Sequence, residues 1–406
     1  MFNKEDEANL LENACILIEA YINLNTALYI QPNFHSTVVK DVSSLLNRTI
    51  RDVGPCVAVT ETINRLVEEA LQLFYTHITP PRSNGPTFIR KKPNTEKMQK
   101  KINYLQQVPQ PEQRTPEWYE FRYQHLTASN IWKAFGSDST RNQLIFEKCQ
   151  PLNAAANKFS GVNFDSPMHW GQKYEPVSIQ LYEEKYQTHV SDFGCIPHKT
   201  LDFLAASPDG IVTDTKAAQY GRMLEVKNIV NREITGNPKP EYWVQMQVQL
   251  EVCDLNECDF LETRFIEYPN EEAFTLDIKP EVKKGCMMLF MQMGGQPVYE
   301  YAPLTLNPDN YPQWQEEMME KHANLNWLKN IYWKLDQLSC VLVLRNKLWF
   351  AAALPAIKDI WQTIQEEKKS GYAHRGPKKT TTNVKKLAAN VEFINMPSKC
   401  FINIET

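Results

Sequence analysis

The sequence predicts an α/β protein, a central mixed sheet flanked by helices with a helical region in front of it. Three observations carry that expectation. Two short apolar runs, residues 203–206 and the segment holding Met223, Leu224 and Val226, bracket turn-forming residues and read as strands. Aromatic and aliphatic residues from 260 to 268 extend the sheet. Against them stand stripes of helical spacing: Ile63, Leu66, Val67, Ala70, Leu71 and Phe74 in one segment, Val177, Leu181, Tyr182 and Tyr186 in another.

A chain of 406 residues can hold two or three domains, or one large domain with appendages. Its 44 Lys and Arg against 48 Asp and Glu, a formal charge of -4, give no bulk cationic field, so any contact with nucleic acid must come from local basic patches. The nine cysteines are scattered and none forms C-x-x-C, which argues against a zinc ribbon or a disulfide framework and for a reducing, intracellular setting. Cys253 and Cys258 read as buried thiols. No apolar run approaches the roughly 20 residues of a membrane span, and the acidic start is unlike a signal peptide.

Taken in order, residues 1–80 form a helical accessory region, with helices expected over 5–30 and 60–78 and no catalytic motif. Residues 81–113 shift to Pro, Asn, Gln and charge and read as a basic linker, carrying Arg82, Arg90, Lys91, Lys92, Lys97, Lys100 and Lys101. The main domain spans 114–366. The remainder, 367–406, is a basic tail unlikely to pack, holding Lys368, Lys369, Arg375, Lys378, Lys379, Lys385 and Lys386. It reads equally as a nuclear-import signal, a DNA-holding tail or a solubilising end.

The candidate chemistry is concentrated between residues 207 and 227. Ser207, Pro208, Asp209 and Gly210 suit a tight turn, and Leu224, Glu225, Val226 and Lys227 suit a strand. Alternation places Glu225 and Lys227 on one face and turns Val226 into apolar packing. An E-x-K pair alone is what any solvated, salt-bridged hairpin shows. With Asp209 there are two carboxylates and a lysine, a set that suits Mg²⁺-assisted phosphodiester hydrolysis, because a hard cation takes oxygen ligands and acidifies a bound water. Lys227 would orient that water and help deprotonate it.

These residues resemble the PD-(D/E)xK nuclease signature, in particular the branch of lambda exonuclease and the YqaJ-type viral recombinases. Further segments fit the same branch between about 114 and 365. Arg114-Thr-Pro-Glu-Trp118 through Arg122 and Thr127-Ala128-Ser129 looks like the opening of the lambda-exonuclease fold; Trp170-Gly171 followed by Glu175 matches its W-G-x-x-x-E; Tyr242, Gln245 and Gln247 match its Y-x-x-Q-x-Q. Tyr332-Trp333-Lys334-Leu335, then Val343 and Arg345, then Trp349-Phe350 are similar to the ending of large-DNA-virus members such as the baculovirus alkaline nucleases.

The resemblance implies a restriction-endonuclease-like core in which Asp209, Glu225 and the backbone carbonyl of Val226 hold Mg²⁺, with Mn²⁺ as a substitute. Glu175 would act as a ligand or through water, and should open a helix, since Pro176 belongs in a first turn. Gln245 and Gln247 would face the scissile phosphate and attacking water; Gln249 competes for that register, because three glutamines two apart cannot share a helix face. Arg122, Ser129 and Ser207 would bind the DNA 5'-phosphate, with Ser129 near the N-terminus of a helix beginning near Asn130, and Arg141 would add a contact. The implied activity is 5'-to-3' digestion of linear double-stranded DNA, leaving a 3' single strand for an annealing or single-strand-binding partner in recombination and genome maturation. Alternatives are a restriction-like endonuclease of the same fold and a non-catalytic DNA-binding or scaffold protein. The implied setting is intracellular, for a viral protein the host nucleus or replication site, and some relatives form rings, so a homo-oligomer fits the family.

Overall fold

A computed structural model describes residues 2–25, 34–50, 57–77, 83, 94–152, 163–164 and 166–376. At its centre lies a seven-stranded mixed sheet in the order β2 (Val190–Ser191), β5 (Gly210–Val212), β6 (Met223–Asn228), β7 (Glu257–Glu267), β10 (Asn326–Leu344), β8 (Lys284–Met291) and β9 (Pro297–Tyr301). A three-stranded sheet, β1 (Leu126–Thr127), β4 (Leu204–Ala206) and β3 (Ile196–Pro197), accompanies it. Within the large sheet β6 and β7 pair in parallel. A parallel pair needs a crossover, and the helix Pro240–Val252 supplies it.

That crossover helix is buried nearly all round, with Trp243, Val244, Met246, Val248 and Leu250 in the largest apolar cluster. The helix Lys347–Ser370 adds Trp349, Phe350, Ala353, Ile357, Ile360 and Ile364 to the same cluster, a stripe of helical period. On β6 the alternation divides the two faces. Leu224 and Val226 join Tyr182, Val190, Val212 and Leu261, while Met223 packs with the crossover-helix cluster. Glu225 and Lys227 therefore emerge towards the crossover helix.

The α/β class with an N-terminal helical region is the observed one, and the differences lie in the elements. Three helices, Lys4–Leu24, Phe34–Thr49 and Val57–His77, share a separate core of Ala14, Ile18, Val38, Val42, Ile63, Val67 and Leu71. The middle one escapes sequence reading because Ser, Thr and Val lower its propensity. Residues 26–33, where the first helix was expected to run on, lie outside the described residues.

The expected linker contains a helix, Thr95–Gln107, whose Asn94 side chain caps Lys97 and whose Ile102 and Leu105 enter the main core. Burial of that stripe outweighs its polar composition. Arg82 and the Arg90 to Lys92 cluster lie outside the described residues. Residues 326–344 form the single long strand β10. Its polar middle reads as a break in the sequence, yet the ladder to β7 continues through a register shift between Leu335 and Gln337. The helix Tyr311–Lys321 precedes that strand. The tail expected to begin at 367 instead stays helical to Ser370, and Arg375 folds back onto Glu367 at 2.5 Å; residues 377–406 lie outside the described residues.

Candidate functional site

The acidic centre is built where β5 and β6 form an antiparallel hairpin. Asp209 stands immediately before β5. Its neighbour Gly210 has no room for a side chain, since a Cβ there would lie 2.2 Å from Val190 Cγ1, and this close approach seats Asp209 against β6. Asp209 Oδ2 accepts the Val226 N–H at 2.7 Å. The strand 204–206 that precedes the turn belongs to the smaller sheet, so the partner of the Glu225 strand is β5 and not the apolar run first expected.

Glu225 is fully buried and forms an ion pair with Lys227. Its Oε1 also accepts from Gln245 Nε2 at 2.7 Å, and its Oε2 accepts from Gln249 Nε2 at 2.7 Å. The Gln249 amide reaches the Ser207 carbonyl as well, at 3.2 Å. Gln247, expected beside the acids, faces the other way: it donates to the Leu344 carbonyl at 3.0 Å and accepts the Asn346 N–H at 2.6 Å. The correction follows from helix geometry, because Gln245 and Gln249 stand one turn apart while Gln247 is rotated by half a turn.

Glu175 sits in the middle of the helix Pro167–Tyr186, not at its start. Ser166 and Pro167 begin that helix, and burial of Tyr174 and Val177 on either side keeps it continuous through Pro176 despite the missing N–H. Glu175 pairs with Arg114 at 2.9 Å. Arg114 adopts a φ of 69°, a left-handed conformation that costs a non-glycine residue about 1 kcal/mol. A cleft of about 770 Å³ opens beside Arg114, Glu175, Asp192 and Asp209.

The electrostatics are those of crowded acids. Burial first, then the charges of Glu225 and Glu175, push Asp209 well above its ordinary value. Glu175 is raised by burial, with Arg114 and Lys227 opposing and Glu225 and Asp192 reinforcing. Burial alone would lower Lys227; Glu225 and Asp209 more than offset it, and its pKa ends raised.

Among the described residues no three His, Cys, Asp or Glu groups close to metal-ligand distances, and Lys227, Gln245 and Gln249 take up the Glu225 oxygens. The donor chemistry nevertheless fits a hard divalent cation. Asp209, Glu225 and Glu175 supply excess negative charge, and Gln249 Oε1 is a buried acceptor without a hydrogen-bond partner.

Beside this centre lies a cationic pocket. Thr115 caps the helix Pro116–Gln124 through the Trp118 N–H at 3.2 Å, and Pro116 suits its first turn. The guanidinium of Arg122 stacks on Trp118, 4.2 Å from the ring centre, and donates to Ser129 Oγ at 2.9 Å. Trp118 Nε1 donates to Ser207 Oγ at 3.0 Å, two residues before Asp209. The structure thus brings Arg122, Ser129 and Ser207 together.

Two expectations here need correction. The helix expected after Ser129 is the four-residue turn Ala128–Ile131, which passes into a 3-10 turn, so no long helix dipole serves the pocket. Arg141, on the helix Asp138–Cys149, leans away to Asp359 at 3.4 Å. Sequence reasoning also missed Lys148, buried beneath the pocket with its ammonium on the Arg122 and His125 carbonyls. The signal was present: Lys148 falls on the stripe of Leu144, Ile145 and Cys149, a lysine on an apolar face.

Residues 117–256 match the family model of the YqaJ-like viral recombinase domain. The uncharacterized protein R354 of Acanthamoeba polyphaga mimivirus is 29% identical over 332 residues, covering 71% of this chain and 59% of that relative's length. Among solved structures, an alkaline exonuclease (LHK-Exo) from Laribacter hongkongensis matches with 19% identity and a TM-score of 0.38, covering 68% of this chain and 98% of its own. A phage related exonuclease from Haemophilus somnus 129PT matches with 12% identity and a TM-score of 0.32, covering 60% and 94%. No helix among the described residues is long and apolar enough to cross a membrane.

Proposed function

We propose that the protein is a metal-dependent 5'-to-3' exodeoxyribonuclease acting on linear double-stranded DNA. The observation that carries the reading is the Trp118 to Ser207 hydrogen bond. It joins an anion pocket to the turn that presents Asp209, so a terminal phosphate seated at Arg122 and Ser129 is registered against the acidic centre. A carboxylate pair with an adjoining lysine supports phosphodiester hydrolysis, and the YqaJ-like domain supports DNA as substrate.

Asp209, Glu225 and the Val226 carbonyl would hold Mg²⁺ or Mn²⁺, with Glu175 alongside. Such a cation supplies charge against the phosphoryl oxygen and a water of lowered pKa. Lys227, held by Glu225 and kept protonated, orients the attacking water by donating to it, and as an ammonium it does not take the water's proton as first expected. Gln245 and Gln249 fix the Glu225 carboxylate so that it need not reorganise during reaction. Arg122 and Ser129 bind the 5'-phosphate, a charge-assisted contact that suits a dianion better than an internal diester. The 3' single strand left behind is the substrate of an annealing or single-strand-binding partner, in keeping with recombination.

The test is digestion of linear and covalently closed circular duplex with and without Mg²⁺. Linear duplex should shorten only with the metal while circles persist. Nicking of circles at the same rate would favour the restriction-like endonuclease, and metal-independent binding without any cleavage would favour the scaffold reading.

A further inference from the structure

Lys148 is an unusual residue for its position. It is 7% exposed, on the inward face of the helix Asp138–Cys149, and it donates to the carbonyls of Arg122 and His125, the latter at 2.6 Å. Those carbonyls close the end of the Trp118 helix, whose C-cap is His125. The groups facing the ammonium are Arg122 and the His125 carbonyl from that helix, Lys368 from the C-terminal helix, Cys195 from the loop before β3, and Glu147 on its own helix. Glu147 is already engaged by Lys133 at 2.7 Å. Neither Lys148 nor Arg122 forms an ion pair with a carboxylate among the described residues, so a buried lysine and a half-buried arginine lie together without a paired counter-charge there.

We infer that Lys148 is a positioning residue of the end pocket, tying the turn between Arg122 and Ser129 into the geometry that grips a terminal phosphate and adding the second positive charge that a dianion needs. The inference rests on the proposed end-sensing function. Charge balance supports it: an ammonium removed from water needs hydrogen bonds and a counter-charge, and Lys148 has only the first. Burial first, then Arg122 and Lys368, lowers its pKa to about 7. A bound phosphate dianion would raise it again.

The sign of the resulting pH dependence is fixed. Binding the dianion takes up a proton at Lys148 wherever the free protein has lost it, so affinity for the phosphorylated end falls as pH rises above about 7. Below about 6 the terminal phosphate itself loses its second charge. The preference for phosphorylated ends should therefore peak between these limits.

The experiment measures the rate ratio for 5'-phosphorylated over 5'-hydroxyl linear duplex across pH 6 to 9.5, on the full chain carrying Lys148→Met, Lys148→Arg or Arg122→Ala, beside wild type. The inference expects the wild-type ratio to decline with pH above about 7, Lys148→Met to lower the ratio about tenfold and flatten it, and Lys148→Arg to restore a ratio that no longer falls. A Lys148→Met protein that slows both substrates equally, with its ratio and pH profile intact, overturns the inference and makes Lys148 structural. If Lys148→Met does not fold, the wild-type and Lys148→Arg profiles decide: two superimposable profiles overturn the inference. Failure of the underlying reading looks different, because Arg122→Ala then leaves the ratio unchanged.

Discussion

The acidic centre and the pocket beside it are electrostatic opposites built by the same device, burial of charge without full compensation. At the centre Asp209 is raised by burial and then by the nearby charges of Glu225 and Glu175, because Lys227 and Arg114 together do not neutralise three acids. In the pocket Arg122 and Lys148 are lowered by burial, with no carboxylate in ion-pair contact among the described residues. Among the described residues negative charge is in excess at the first and positive charge at the second. The difference teaches what each waits for, and the hydrogen bond from Trp118 to Ser207 is the bridge between them.

The strongest way to break the comparison is to remove the acids. Asp209→Asn and Glu225→Gln should each lower cleavage by about a hundred- to a thousandfold or more, while retention of linear duplex in a gel-shift assay stays near wild type. Activity within a few-fold of wild type in either variant would remove that acid from the centre. Next in size is the opposite pole. Arg122→Ala should cut the rate on 5'-phosphorylated ends by about ten- to a hundredfold and leave 5'-hydroxyl ends nearly unchanged, as single-turnover kinetics would show.

A smaller effect separates the glutamines. Gln249→Leu should depress kcat, because it frees Glu225 Oε2 and the Ser207 carbonyl. Gln247→Leu should instead lower stability by about 1–3 kcal/mol, since it strips the Leu344 and Asn346 backbone of partners. Denaturant titration beside kcat measurement distinguishes them.

The smallest effect concerns stability and pH. A carboxyl raised in the folded state costs stability as pH rises above its ordinary value of 3.8. In metal-free buffer Asp209→Asn should therefore melt higher than wild type at pH 7, with the gap closing towards pH 4. Added Mg²⁺ should reverse the order by raising only the wild-type Tm. An Asn variant that melts lower at pH 7 without metal would mean that the acids are not crowded.

Much of the acidic centre was legible in the sequence because its geometry is local. Period-two alternation alone puts Glu225 and Lys227 together and Val226 opposite. What failed was governed by contacts distant in sequence. Glu175 could not be placed within its helix from Pro176, since packing of Tyr174 and Val177 carries the helix through the proline. Gln249 was already a rival for the register, but the choice among three glutamines needed the helix phase relative to β6, which sets Gln245 and Gln249 on Glu225 and Gln247 on the Leu344 carbonyl. Lys148 was visible as a lysine on an apolar stripe, but its meaning depends on a helix end 23 residues away. In the fold, the polar residues around Asp336 resemble a loop in sequence, and only the ladder to β7 shows β10 as one strand.

The central claim, that hydrolysis starts at a 5' end because the anion pocket registers that end against the acids, is tested most directly by the order in which label leaves a duplex. Linear duplex carrying label in the first 5' nucleotide or the last 3' nucleotide of the same strand is incubated with protein and Mg²⁺. The account expects 5' label to appear as mononucleotide from the first time point and 3' label to remain in long strands until digestion is nearly complete. Release of 3' label first, or of both labels together in internal fragments, would contradict it.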